Sequence, residues 1–266
     1  MKMRCAVMLL GVAIALGDLT GCVPRKLTLP TTRAEAIRNR AEAHFGRVFY
    51  LKPAETDNPT AQAQQLAPLL IIETAATNAL PDWPTGTTDP QVFFQPGQTI
   101  LSGRPHRQMT YGWSYAKTFN EGPGALPAQG VRITLDSAGR PVIWEIFADT
   151  SRAQVIFVAQ SLELQAGREF GPPLAGRRFA VERSLTDAPQ VVVARVIEDG
   201  PVPMGPILYL RAGTRDVTAV ICRCMAAQAR ELAGQQEYEL VLAPKMPVHF
   251  PKLEEIERHI RLPKNF

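Results

Sequence analysis

The chain is poor in the features that announce a particular chemistry. Its 266 residues include only 4 cysteines and 4 histidines, and aromatic residues make up 7%. The histidines, His44, His106, His249 and His259, are scattered, without the His-x-x-x-His spacing that binds zinc from a helix. There is no Gly-x-Ser-x-Gly elbow and no glycine loop of the kind that cradles phosphate. Neither sign of charge dominates: 29 Lys and Arg stand against 25 Asp and Glu, a net charge of +4 with no basic run or arm. Nothing therefore points to a nucleic-acid partner. Beyond the N-terminus no apolar stretch approaches the ~20 residues of a membrane helix. Residues 66–72 (LAPLLII) come nearest, and they are short and interrupted by Pro68. No repeat period and no low-complexity block is present.

Proline, by contrast, is abundant. The 23 prolines are about 9% of the chain, against a usual ~5%. Each interior proline costs a helix about 3 kcal/mol, so a mostly helical bundle is excluded. Charged residues at 20% and hydrophobic residues at 45% are ordinary for a folded protein. Short apolar runs separated by Pro and Gly continue through the chain. Val131, Ile133 and Leu135 alternate with Arg132 and Thr134, the period-two signature of a strand.

The spacing predicts strands over 47–51, 69–73, 130–136, 141–147, 154–159, 178–182, 190–197, 207–211, 217–222 and 238–242. It adds a pair over 91–95 and 98–102 turning at Pro96-Gly97. Thr32-x-x-Glu35 reads as a capping box that opens a helix running to about Phe45. Residues 226–232 and 252–260 are further helix candidates. The expected fold is mainly β, a β-sandwich or partly open barrel, mostly antiparallel, with a few flanking helices. An α+β arrangement is the alternative. The Pro/Gly-rich segments 121–130 and 200–206 are expected to be long surface loops.

The N-terminus reads as an address. Met1-Lys2-Met3-Arg4 is positively charged, and an uncharged apolar run of 13 residues, Cys5 to Gly17, follows it. That length suits a signal peptide rather than a membrane span. The run leads into Leu19-Thr20-Gly21-Cys22, which resembles the lipobox of the bacterial lipoprotein class. The resemblance covers only the first 22 residues. The strand pattern makes 31–266 a single β-rich domain, and the resemblance implies a signal peptide over 1–21 and a lipidated tether over 22–30. It implies a covalent lipid on Cys22, with the new amino group acylated. One acyl chain anchors only marginally, and two or more give stable attachment. With Val23 rather than Asp after the cysteine, the class implies the periplasmic face of an outer membrane in a cell with two membranes. Without the resemblance, the same residues fit an ordinary secretory signal or a short core helix.

With Cys5 in the signal and Cys22 lipidated, Cys222 and Cys224 remain, in Val-Ile-Cys-Arg-Cys-Met225. On a strand their Cα atoms would stand about 6.5–7 Å apart, at or beyond disulfide reach without a kink. A turned disulfide or buried thiols, a soft-metal site and a redox pair all stay open. Cys222, Cys224 and Met225 make a plausible copper(I) ligand set, echoed by His106-x-x-Met109 and Met246-x-x-His249. Tyr111, Trp113 and Tyr115 would share one face of a strand. Exposed, they would form a stacking platform for sugar rings; buried, they would be core. Glu145 with Asp149 and Glu198 with Asp199 read as surface-hairpin acids.

No enzyme signature emerges, and no catalytic residue is assigned. The expectation is a lipid-anchored envelope protein that binds another envelope protein or a glycan, held to the membrane by its lipid. A copper-handling or thiol-redox protein using Cys222 and Cys224 is the alternative. A cell-wall hydrolase with residues assembled only in three dimensions is a weaker one.

Overall fold

The computed structural model describes residues 33–40, 48–54, 61–73, 91–114, 128–149, 153–183, 191–201, 204–212, 214–222, 236–243 and 256–266. In chain order its elements are α1 (Arg33–Arg40), β1 (Val48–Pro53), α2 (Ala61–Leu66), β2 (Leu69–Glu73), β3 (Gln91–Leu101), β4 (Arg104–Ser114), β5 (Ala128–Leu135) and β6 (Pro141–Phe147). There follow β7 (Gln154–Ala159), α3 (Gln160–Phe170), β8 (Val191–Ile197), β9 (Pro206–Leu210), β10 (Val217–Cys222), β11 (Gln236–Leu242) and α4 (Ile256–His259). The fold is mainly β, with short helices. Chain contacts separate Met1–Pro30 from Thr31–Phe266, and every described residue belongs to the second unit.

The strands form one 11-stranded sheet in the order β10-β9-β2-β1-β11-β3-β4-β5-β6-β7-β8. The two outer strands, β8 and β10, approach each other and α1 packs on both, so the sheet is nearly closed and barrel-like. Pairing is mixed. The meander from β3 to β7 is antiparallel, whereas β1–β11, β11–β3, β2–β9 and β7–β8 are parallel. The β7–β8 link is a crossover through α3, as a parallel pair requires.

Register carries one apolar face across the whole sheet. Leu51 lies opposite Leu70 and Leu70 opposite Leu208; Phe94 lies opposite Tyr111, Tyr111 opposite Val131, and Trp144 opposite Phe157. Each of these side chains is at most 1% exposed. The other face is partly open on β1, β9 and β11, where Lys52, Ile207, Tyr209, Glu237 and Glu239 lie. On β5, β6 and β7 it is buried as well, so those strands are covered on both sides.

Three local expectations are corrected. Pro96-Gly97 is not a turn but the middle of β3; the turn is Ser102-Gly103, with φ of 49° and 76°. Two positive φ values are what a two-residue hairpin of primed type needs. Residues 178–182 are not a strand but turns closed by a single bridge from Glu182 to Ile260. The helices α2 and α3 form in stretches for which the spacing predicts no element. The segment near 200–206 ends packed, not loose: Gly205 N donates to Gln65 O at 2.9 Å. A Cβ on Gly205 would lie 2.2 Å from the Ala67 carbonyl oxygen. The expected helix over 226–232 lies outside the described residues.

Candidate functional site

The residues singled out in the sequence do not come together. Tyr111 and Trp113 are both 0% exposed, and the Tyr111 hydroxyl donates to Ala63 O on α2 at 2.7 Å. They are core, not a sugar platform. Burying a large apolar side chain gains about 1.5–3 kcal/mol, and the interior face of β4 collects that gain. His106 and Met109 stand on opposite faces of β4, because a spacing of three in a strand reverses the side. They cannot be one ligand pair. Cys222 ends β10, half-buried, opposite Pro206. Cys22, Tyr115, Cys224, Met225, Met246 and His249 lie outside the described residues. Among the described residues no group of three or more His, Cys, Asp or Glu is placed to hold a metal ion.

What the fold does assemble is a set of buried ion pairs. Glu145, expected at a surface, is 0% exposed. The hairpin turn sets β5 against β6 so that Arg132 lies opposite Glu145. Arg132 grips the carboxylate with two bonds, Nε to Oε2 at 2.8 Å and Nη2 to Oε1 at 2.7 Å. Gln154 Nε2 adds a third at 2.6 Å, and the guanidinium stands 5.0 Å from the Phe147 ring centre. Burial pushes the Glu145 carboxyl above its ordinary value, and the bonds from Arg132 and Gln154 offset part of that rise. With both oxygens occupied and no solvent access, this carboxyl holds strands together and has no room for a substrate.

A second set lies where the sheet nearly closes. Arg38 on α1 donates Nε to Val193 O on β8 at 3.2 Å and pairs with Glu182. Glu182 also accepts Arg178 N at 2.8 Å and Phe179 N at 2.9 Å. Arg40, two residues further along α1, bridges Asp149 after β6 at 2.9 Å and Asp216 before β10 at 2.5 Å. Asp149 and Asp216 are buried, so each needs that cation. Helix α1 therefore clasps β8, the end of β6 and the start of β10. Asp199, read as a surface-hairpin acid, ties the end of β8 to α3 by accepting Ser161 N at 2.8 Å and Ser161 Oγ at 2.6 Å.

The third feature is the β3–β4 hairpin. Its Ser102 backbone N donates to Glu257 Oε1 at 2.5 Å, and Ser102 Oγ donates to Leu262 O at 3.1 Å. His106 is 3% exposed and donates Nδ1–H to Leu135 O at 3.0 Å. Its ring stacks on Phe266 at 4.4 Å. One side of the hairpin, its turn residue Ser102 included, is thus clamped by residues 256–266.

The ion pairs escaped the sequence reading because alternation marked Arg132 and Glu145 as solvent-facing. The usable signal was their cross-strand opposition once the Asp136–Arg140 turn fixed the register. No family model, curated protein or solved structure matches the chain.

Proposed function

We propose that this is a lipid-anchored cell-envelope protein whose β domain is a binding or structural module for another envelope protein or a glycan, rather than an enzyme. The observation that carries the anchor is Leu19-Thr20-Gly21-Cys22 at the end of a 13-residue apolar run behind a basic N-terminus. Acylation at the sulfur and amino group of Cys22 supplies the two or more chains that stable attachment needs. In a cell with two membranes the domain stands at the periplasmic face of the outer membrane.

Support for a module comes from how the domain uses its buried charges. Arg132 with Glu145, Arg38 with Glu182, and Arg40 with Asp149 and Asp216 each join separate elements of the sheet. Such pairs rigidify a scaffold and fix its register. The test is fractionation of cells that express the protein or Cys22→Ser. The wild-type protein is expected in the detergent phase with its chain starting at Cys22, and the variant retains its first 21 residues. A wild-type chain that partitions into water, or one that starts elsewhere, contradicts the anchor.

A further inference from the structure

We infer that the tip of the β3–β4 hairpin is a second membrane contact, one that recognises anionic lipid headgroups in addition to the acyl anchor. The inference rests on the lipid-anchored reading above.

Charge and shape point the same way. Residues 91–114 contain Arg104, His106 and Arg107 and no Asp or Glu. His106 is taken up in the clamp against Phe266, whereas Arg104 and Arg107 are exposed. The Arg107 guanidinium lies against Gly139, next to exposed Arg140, since a Cβ on Gly139 would meet Arg107 Nη2 at 2.9 Å. Arg107 Nη1 reaches Gln62 Oε1 at 3.4 Å, a neutral partner. Of the carboxylates nearby, Asp136 is paired with Arg140 at 2.8 Å, and Glu257 accepts the neutral Ser102 N and keeps its charge. Exposed Arg104 and Arg107 outnumber the one unpaired carboxylate of these contacts, Glu257, and leave the tip a small positive balance.

An apolar residue stands on the face that carries Arg107. Ile100 is 59% exposed, and the register sets it opposite Pro105. Pro96, Gln98, Pro105 and Arg107 on the same face are exposed too. Residues 256–266 clamp the opposite face through Ser102, so the tip is already ordered before any partner arrives. An exposed apolar side chain on the face that carries Arg107, with Arg104 on the other face of the strand, suits the boundary between anionic headgroups and acyl chains. So small a positive balance attracts such a surface weakly, and the tip orients a protein that its lipid already holds.

The experiment uses the full lipidated protein in vesicles of phosphatidylcholine, with or without phosphatidylglycerol. Ile100→Cys and, as a control on β8, Arg195→Cys are labelled with a water-soluble maleimide and read site by site by peptide mass. The rate at residue 100 is expected to fall about fivefold in the anionic vesicles and to recover in high salt. The rate at residue 195 stays the same. Adding Arg104→Glu and Arg107→Glu returns residue 100 to its rate in neutral vesicles. Equal rates at residue 100 in both vesicles, with the protein still vesicle-bound, overturn the tip contact and leave the anchor standing. Protection that needs an added envelope protein rather than anionic lipid also overturns it. A chain that leaves the vesicles altogether overturns both.

Discussion

Glu145 offers a direct contest between burial and pairing. It is 0% exposed and receives three hydrogen bonds, two from Arg132 and one from Gln154. Glu145→Ala strands the Arg132 guanidinium in the interior, which costs about 3–5 kcal/mol. Domains are stable by only about 5–15 kcal/mol, so the loss is a large share of the whole. Removing both charges with Arg132→Met and Glu145→Leu should restore most of it, since an apolar replacement of a buried pair is often neutral.

The pH dependence separates the causes further. Burial raises the carboxyl above its ordinary value of 4.5. The native state therefore holds a proton more readily than the unfolded chain. The stability this group contributes is complete below 4.5 and is lost as pH rises through the native value. Glu145→Gln removes the titration. Urea unfolding followed by tryptophan fluorescence between about pH 4.5 and 8 should show the wild-type advantage over Glu145→Gln shrinking as pH rises, by up to about 1.4 kcal/mol per unit of elevation. An advantage that grows with pH refutes the reasoning, because Arg132 would then outweigh burial.

Other changes test the packing and the clasp. Gly205→Ala sets a Cβ 2.2 Å from Ala67 O and should cost about 3 kcal/mol or more in urea unfolding. Gly103→Ala has nothing within 4 Å and loses only the price of its φ of +76°, about 1–2 kcal/mol. Similar losses for the two would remove the close-packing argument at Gly205. Arg40→Met leaves Asp149 and Asp216 without their shared cation; the expected cost is about 3 kcal/mol, with faster hydrogen exchange in β8 and β10. Unchanged exchange there would mean that α1 does not hold the sheet closed. Tyr111→Phe should cost about 1 kcal/mol through the bond to Ala63 O and leave any glycan affinity untouched.

The mainly β architecture was legible because period-two alternation and Pro/Gly punctuation survive in single strands. Residues 69–73, 141–147, 154–159 and 217–222 are strands with the bounds their patterns predict. Longer-range facts left weaker traces. The β3–β4 turn was misplaced because Pro96-Gly97 carries stronger turn chemistry than Ser102-Gly103. Proline is tolerated in β3 at Pro96, which is exposed. Helix α3 was hidden by Gly167 and by the absence of a side-chain cap at Ala159. Its support comes from tertiary bonds instead: Asp199 to Ser161, and Glu163 to Ala180 N at 2.6 Å. At the candidate sites, only the choice between a core and a platform for Tyr111 and Trp113 could be framed from sequence. The clasp by Arg38 and Arg40 joins residues more than a hundred positions apart, and no local pattern records it.

The most direct measurement is the intact mass of the protein extracted from membranes, with its N-terminal peptide sequenced by fragmentation. The account predicts a chain beginning at Cys22 whose first residue carries acyl groups on sulfur and nitrogen. A first residue of Met1, or an unmodified Cys22, would contradict it.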